Sequence, residues 1–206
     1  NRRCQKGKVL IIQCDEPVVD AAEKLDIIGF GEDELDFDNV GFVETWRFDK
    51  VPQLLERIKK DRPQLIVIDS LTSCLAGMDV DLIRSDAGNC IYELRDIANQ
   101  YGCSIVILHH LNKSGGIRDS SSFEANVSEV VKLYRPENSG VPDQFIIEWS
   151  KSRSGLAGKH FLNRESSTYG WFYAGPVDGG GQDLDKLVNA LNNRAHSRFD
   201  KNQAAT

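Results

Sequence analysis

No stretch of these 206 residues reads G-x-x-x-x-G-K-[ST], so the glycine-rich loop that most often cradles phosphates is not written in the chain. The five cysteines are odd in number and none sits in a C-x-x-C pair. That argues against a disulfide framework and for reduced core thiols in a cytosolic protein. The longest apolar runs, such as Leu65–Ile68 and Ile105–Leu108, are strand-sized. None approaches the roughly 20 residues of a membrane span, and no charged-then-apolar segment opens the chain. No internal repeat is visible, and no cluster of residues has metal-ligand spacing. A net charge of −6 excludes a whole-surface nucleic-acid footprint and leaves only local basic loops for such a role.

What is present is a series of apolar runs alternating with helix-spaced segments. Hydrophobic residues make up 40% of the chain and charged residues 27%, the balance of a soluble globular protein with one sizeable core and a tail. Val9–Cys14 reads as a strand, and Val18–Ile28 as a helix stopped by Gly29. Asp33–Asn39 is an acidic surface loop and Gly41–Phe48 a short strand. Val51–Lys60 places Val51, Leu54, Leu55 and Ile58 on one helical face. After the strand Leu65–Asp69, the segment Leu82–Tyr101 carries Cys90, Ile91, Leu94 and Ile97 at helical spacing, and Gly102 ends it before the strand Ser104–Leu108. This β-α-β-α-β-α-β order predicts an α/β fold with a mostly parallel sheet flanked by helices. Glu129–Tyr134, Gln144–Ser150, His160–Asn163 and Gly170–Tyr173 are short strands between turn residues, expected as antiparallel additions to one edge of that sheet. Residues 1–176 then form the core. Residues 177–206, with a break at Gly179–Gly181 and a helix over Leu184–Leu191, form a flexible linker and tail.

Three apolar runs release polar groups at their carboxyl ends, where open α/β sheets build sites. LIVIDS ends in Asp69 and Ser70. A carboxylate there can hold a Mg2+-bound water beside a nucleotide phosphate, and equally it can cap the turn after a buried strand. Asp15 and Glu16 close the first run before Pro17. Such a carboxylate can position or deprotonate water near a γ-phosphate, although an acidic pair favoured by a helix dipole is the commoner account. His109 and His110 close IVILHH, and alternation lets only one of them face a site. A histidine there can hydrogen-bond a terminal phosphate; a satisfied core histidine is the plainer alternative. The long polar stretch NKSGGIRDSSSFEAN carries Lys113 and Arg118 and suits contact with the phosphates of a single strand, or simple solvation. Lys151 and Arg153, two residues apart, can reach one phosphate together or protect an edge strand by charge.

Taken together, from Lys8 to Tyr173, these residues resemble the RecA-like core of DnaB-type hexameric replicative helicases and of the plasmid RepA-like helicases. LIVIDSLT resembles the family's Walker B strand, which implies that Asp69 is the Mg2+-associated aspartate with Ser70 beside the nucleotide. LHHLNK is similar to the strand ending in a Gln or His sensor followed by Leu-Asn-basic, implying His110 as sensor and Lys113 as the basic residue. IRDSSSFEANVSEVVKLYR resembles the loop and strand that close on Leu-Tyr-Arg, with Arg118 in the loop. SKSRSG is similar to Lys-x-Arg-Asn-Gly, whose Lys and Arg act in trans on the neighbouring subunit's nucleotide, roles that pass to Lys151 and Arg153. Asp15 and Glu16 stand where the family keeps its catalytic glutamate; alignment favours Asp15 and residue type favours Glu16. The resemblance implies a RecA-like P-loop NTPase fold, ATP and Mg2+ as cofactors, and single-stranded DNA and further copies in a hexameric ring as partners. It also implies a cytoplasmic role in plasmid or chromosome replication, with no membrane.

One departure matters. In the family a strand and the phosphate loop precede the Lys8–Cys14 strand by about a helix's length, and here Asn1 stands where that helix finishes. A fragment of a longer protein is the simplest expectation, because a sheet without its central strand exposes hydrogen-bonding edges and apolar faces. Supply of the loop by another chain, or its loss, are the alternatives. The chain alone is expected to be inactive. Two rival readings stand beside a helicase: a RecA-like ATPase of recombination or clock type, and a non-catalytic module that assembles with partners or occupies nucleic acid.

Overall fold

The computed structural model describes residues 6–30, 38–77, 85–110, 121–137 and 139–177. The chain divides into two compact units, Asn1–Val127 and Ser128–Thr206.

The first unit is built on four parallel strands: β1 (Val9–Gln13), β2 (Val40–Glu44), β3 (Leu65–Asp69) and β4 (Ser104–Ile107). Their order is β2-β1-β3-β4. The near-continuous apolar runs of β1 and β3 mark strands with both faces meant for burial. Leu10, Ile12, Ile66 and Ile68 point to one face and are at most 1% exposed. Five helices connect or follow these strands: α1 (Val18–Ile27), α2 (Val51–Asp61), α3 (Leu71–Leu75), α4 (Ser85–Tyr101) and α5 (Ser121–Asn126). Val51, Leu54 and Ile58 of α2 and Ile91, Leu94 and Ile97 of α4 join the strand residues in one core. Helix α2 begins with Pro52 in its first turn, carries Lys59 and Lys60 in its last, and stops at Arg62 in the left-handed region, ahead of Pro63.

Element bounds follow the sequence reading with local differences. The second strand stops at Glu44 rather than Phe48, because the chain turns at Thr45 (φ 57) and sends Trp46 and Phe48 into the core, with ring centroids 4.9 Å apart. Residues 121–126, read as loop, form helix α5, whose Phe123 is buried against the core. The expected start of the fourth helix at Leu82 and the expected helix over Leu184–Leu191 fall outside the described residues.

The larger correction concerns the later strands. β5 (Glu129–Tyr134), β6 (Gln144–Ser152), β7 (Gly158–Glu165) and β8 (Gly170–Pro176) are antiparallel neighbours, as their alternation and turn residues predict. They do not extend the parallel sheet. They make a four-stranded sheet of their own in the second unit. Among the described residues β4 pairs only with β3. Its Val106 is 45% exposed, and Leu108 just beyond it 43%. Period-2 patterning reveals that strands are antiparallel but not which edge they join, and that is where the expectation failed. No described helix is long and apolar enough to cross a membrane.

Replacing Leu94, 1% exposed, with alanine removes packing from the centre of the first unit. The expected cost is about 2–5 kcal/mol of unfolding free energy, read by urea denaturation through the buried Trp46. A loss below about 0.5 kcal/mol would mean that α4 is not seated on the sheet as described.

Candidate functional site

The carboxyl ends of β1, β3 and β4 bring together acidic groups that are far apart in sequence. Gln13 is the register partner of Asp69 across the β1–β3 ladder, and the ladder runs one step further through Cys14 N–H donating to the Asp69 carbonyl at 2.6 Å. Gln13 is 6% exposed. Its Nε2 donates to Glu16 Oε1 at 3.2 Å and to Asp69 Oδ2 at 3.3 Å, and its Oε1 accepts from the Asp15 N–H at 3.2 Å. One buried amide thus touches all three acidic residues. A buried amide that uses both of its ends in this way is well satisfied.

Each carboxylate has its own setting. Asp15 Oδ1 accepts from Ser70 Oγ at 3.0 Å and from Ser73 Oγ, and His110 Nε2 lies 3.5 Å from Asp15 Oδ2. The Ser73 hydrogen bond, with help from Ser70 and His110, holds the Asp15 carboxyl below the usual aspartate range against the opposing effect of burial. Asp69 moves the other way. Burial pushes it up, the nearby charges of Asp15 and Glu16 add to that, and the Gln13 hydrogen bond only partly offsets them. Glu16 gives its second oxygen to Lys24, one helix length further on. The Asp69–Ser70 peptide is cis, and Ser70 is 1% exposed.

The two histidines part as strand alternation requires. His110 faces Asp15, while His109 Nδ1 lies 3.3 Å from Thr72 Oγ1 and its ring stands edge-on to Phe123 at 5.6 Å. Lys151 and Arg153 belong to the second unit. Lys151 is in β6 opposite Val130, and the Arg153 N–H donates to the Ser128 carbonyl at 3.0 Å. The turn that follows is held by Ser154 N–H to Glu129 Oε1 at 3.1 Å and Leu156 N–H to Ser152 Oγ at 2.9 Å. Lys113 and Arg118 fall outside the described residues.

Sequence reasoning missed Gln13, Lys24 and Ser73. Gln13 left a signal: it is the single polar residue closing the run VLIIQ, one strand away from the Asp that closes LIVID. Ser73 left none, because its role depends on the turn from β3 into α3.

Among the described residues no group of three or more His, Cys, Asp or Glu is arranged to cage a metal. Mg2+ needs no such cage, since it is commonly held through one or two carboxylates plus waters and substrate phosphates. Asp69 fits that use. Its raised proton affinity reports negative charge that the protein leaves uncompensated and that a cation would relieve.

The fold is that of RecA-like ATPase domains. It is shared with a KaiC-like protein, PH0186, from the hyperthermophilic archaeon Pyrococcus horikoshii OT3, at 14% identity and a TM-score of 0.65 over 82% of this chain and 76% of that one. It is shared equally with the ATPase domain of a helicase, at 14% identity and a TM-score of 0.65 over 81% of this chain and 74% of that one. Residues 1–116 match the family described as AAA domain, and the chain belongs to that family. No curated protein matches it.

Two outcomes follow for stability. Gln13→Leu strips three hydrogen bonds from a buried position and is expected to cost about 1–3 kcal/mol. Gln13→Glu adds a fourth carboxylate, so its cost should be larger near neutral pH and shrink as the pH falls through the carboxylate range. An equal cost at both ends of that range would show that the acidic groups do not share one field. Asp69→Asn should stabilise the fold near neutral pH, because the folded state disfavours the ionised form of Asp69. The gain should vanish as the pH falls through the raised folded pKa and wild-type Asp69 becomes protonated in both states. Thermal denaturation of the two proteins across pH measures it, and a destabilised Asn variant at neutral pH would contradict the charge balance described.

Proposed function

We propose that this chain is the metal-side portion of a RecA-like ATPase, and that the protein carrying it is an ATP-driven DNA helicase or translocase that works as a ring, a hexamer, in the cytoplasm during plasmid or chromosome replication. The observation that carries the reading is the meeting of Asp69, the Asp15–Glu16 pair and His110 at the carboxyl ends of three neighbouring parallel strands. Mg2+ and ATP, when bound, supply the electrophilic phosphoryl group and the charge that neutralises its oxygens. Asp69 orients the metal's water shell. Glu16 is the better proton acceptor of the acidic pair, because the hydroxyls of Ser73 and Ser70 hold Asp15 in its charged, weakly basic form. His110, its side chain 65% exposed, keeps a free face for a terminal phosphate while touching Asp15, which couples phosphate loss to the acidic network.

Lys151 and Arg153 serve the neighbouring subunit's nucleotide, and Lys113 and Arg118 contact single-stranded DNA. The phosphate-cradling loop comes with a strand and helix beyond these residues. The exposed Val106 and Leu108 beside the outermost strand β4 support that view, since parallel sheets are normally covered on both faces. The likeness to a KaiC-like protein, as close as that to the helicase domain, supports a second reading: a ring ATPase that binds nucleotide without unwinding DNA.

Three measurements test the reading. The 206-residue chain by itself should show no measurable ATP hydrolysis; turnover abolished by Asp69→Ala would contradict this. In a protein that joins these residues to a G-x-x-x-x-G-K-[ST] loop, Asp69→Ala and Glu16→Ala should each lower turnover by about 10²-fold or more, with a far smaller loss of nucleotide affinity. In that protein Arg153→Ala should lose about 10³–10⁵ in rate while still forming rings. Mixing Arg153→Ala subunits with Asp69→Ala subunits should restore part of the activity, because some interfaces then pair an intact Asp69 with an intact Arg153. No recovery in rings shown to be mixed would place Arg153 outside any trans role. Strand-displacement assays on the intact protein separate the helicase from the non-unwinding ring.

A further inference from the structure

Two thiols that the proposed chemistry does not use lie against each other at the edge of the acidic site. Cys14 Sγ and Cys74 Sγ are 3.7 Å apart, although 60 residues separate them in sequence. Cys74 is fully buried on α3, whereas Cys14 is only partly buried just beyond β1, its thiol donating to the Trp46 carbonyl at 3.3 Å. Cys90 and Cys103, the other described cysteines, are buried and free, and neither has a second sulfur within hydrogen-bonding distance. Both thiols of the close pair flank groups of the site. Cys14 directly precedes Asp15, and Cys74 directly follows Ser73, whose hydroxyl donates to Asp15.

We propose that Cys14 and Cys74 form a reversible oxidation site, closed by a peroxide into an intramolecular disulfide that ties the end of β1 to α3. The partly exposed Cys14 meets the oxidant first. Its sulfur attacks one peroxide oxygen, the O–O bond breaks, and Cys14 sulfenic acid and one water result. The Cys74 sulfur then attacks Cys14 Sγ, the S–O bond breaks, and the departing hydroxide leaves as a second water with the Cys74 proton. Two thiols are oxidised by two electrons and one peroxide is reduced to two waters. A disulfide needs its sulfurs about 2.05 Å apart, so the pair must close by less than ~2 Å. Side-chain rotation and a small shift of α3, a helix of five residues, can supply that movement. The shift moves Ser73 relative to Asp15, so the modified chain should hold Asp15 differently. The site's existence does not depend on the ATPase reading.

The test uses the whole 206-residue chain, treated with hydrogen peroxide, alkylated under denaturing conditions and mapped by mass spectrometry. The expected result is the loss of two thiols and two hydrogens per chain, one peptide pair linking Cys14 to Cys74, and full reversal by dithiothreitol. In Cys74→Ala the reaction should stop at a Cys14 sulfenic acid that dimedone traps, and in Cys14→Ala the Cys74 thiol should persist. A linkage to Cys4, Cys90 or Cys103, a linkage between chains, or oxidation of Cys14 no faster than that of Cys90 and Cys103 would each overturn the proposal. The mapping needs only the unmodified sequence, so a variant that fails to fold leaves the proposal open to refutation.

Discussion

Parallel pairing of β1 with β3 sets Gln13 beside Asp69, and that register decides where the acidic groups of the first unit end up. A slip of one residue would send each side chain of the strand to the opposite face. Leu10 and Ile12 would leave the core, and Gln13 could no longer reach Asp69. The apolar pattern that buries Leu10, Ile12, Ile66 and Ile68 therefore also fixes the polar contacts one step further along. Core and site share one constraint. The amide is suited to the place because it is neutral: it donates to Glu16 and Asp69 and accepts from the Asp15 backbone without adding charge.

Around that amide the protein treats two aspartates in opposite ways. Asp15 sits among hydroxyl donors that favour its ionised form, whereas Asp69 is buried near like charges that disfavour it. Environments that push two carboxyls apart are a recurring way to divide roles between them. The only ion pair described among these groups with a permanent cation is Glu16 with Lys24. The remaining charge is stabilised by dipoles, which leaves Asp69 poised for a cation. The second unit solves a separate problem. Its Ser152, Ser154 and Glu129 fold the segment after β6 into a hydrogen-bonded turn, so Arg153 is presented from an ordered stretch of backbone.

Much of this was legible before any coordinates. Apolar runs ending in Asp69, in Asp15–Glu16 and in His109–His110 marked both the parallel strands and their functional ends, because burial and strand polarity are written in residue order. What stayed hidden depends on contacts between segments. Alternation required that only one histidine face the site, but the choice of His110 over His109 rests on Thr72 and Phe123, which come from other elements. Ser73 acts through a helix of one turn, too short to announce itself by periodicity. The antiparallel strands were recognisable singly, while their separation into a second sheet was not, since alternation records faces and says nothing of partners. The contact between Cys14 and Cys74 belongs to the same class, being a product of how the chain returns on itself.

The most direct test of the central claim is the titration of individual aspartate side-chain carboxyls by 13C NMR in the folded chain. Asp69 is expected to titrate above the ordinary aspartate value and Asp15 below it, and replacing Gln13 with leucine should move Asp69 further up. Equal, unshifted titrations of the two residues, or the reverse order, would contradict a site organised around the Gln13 amide.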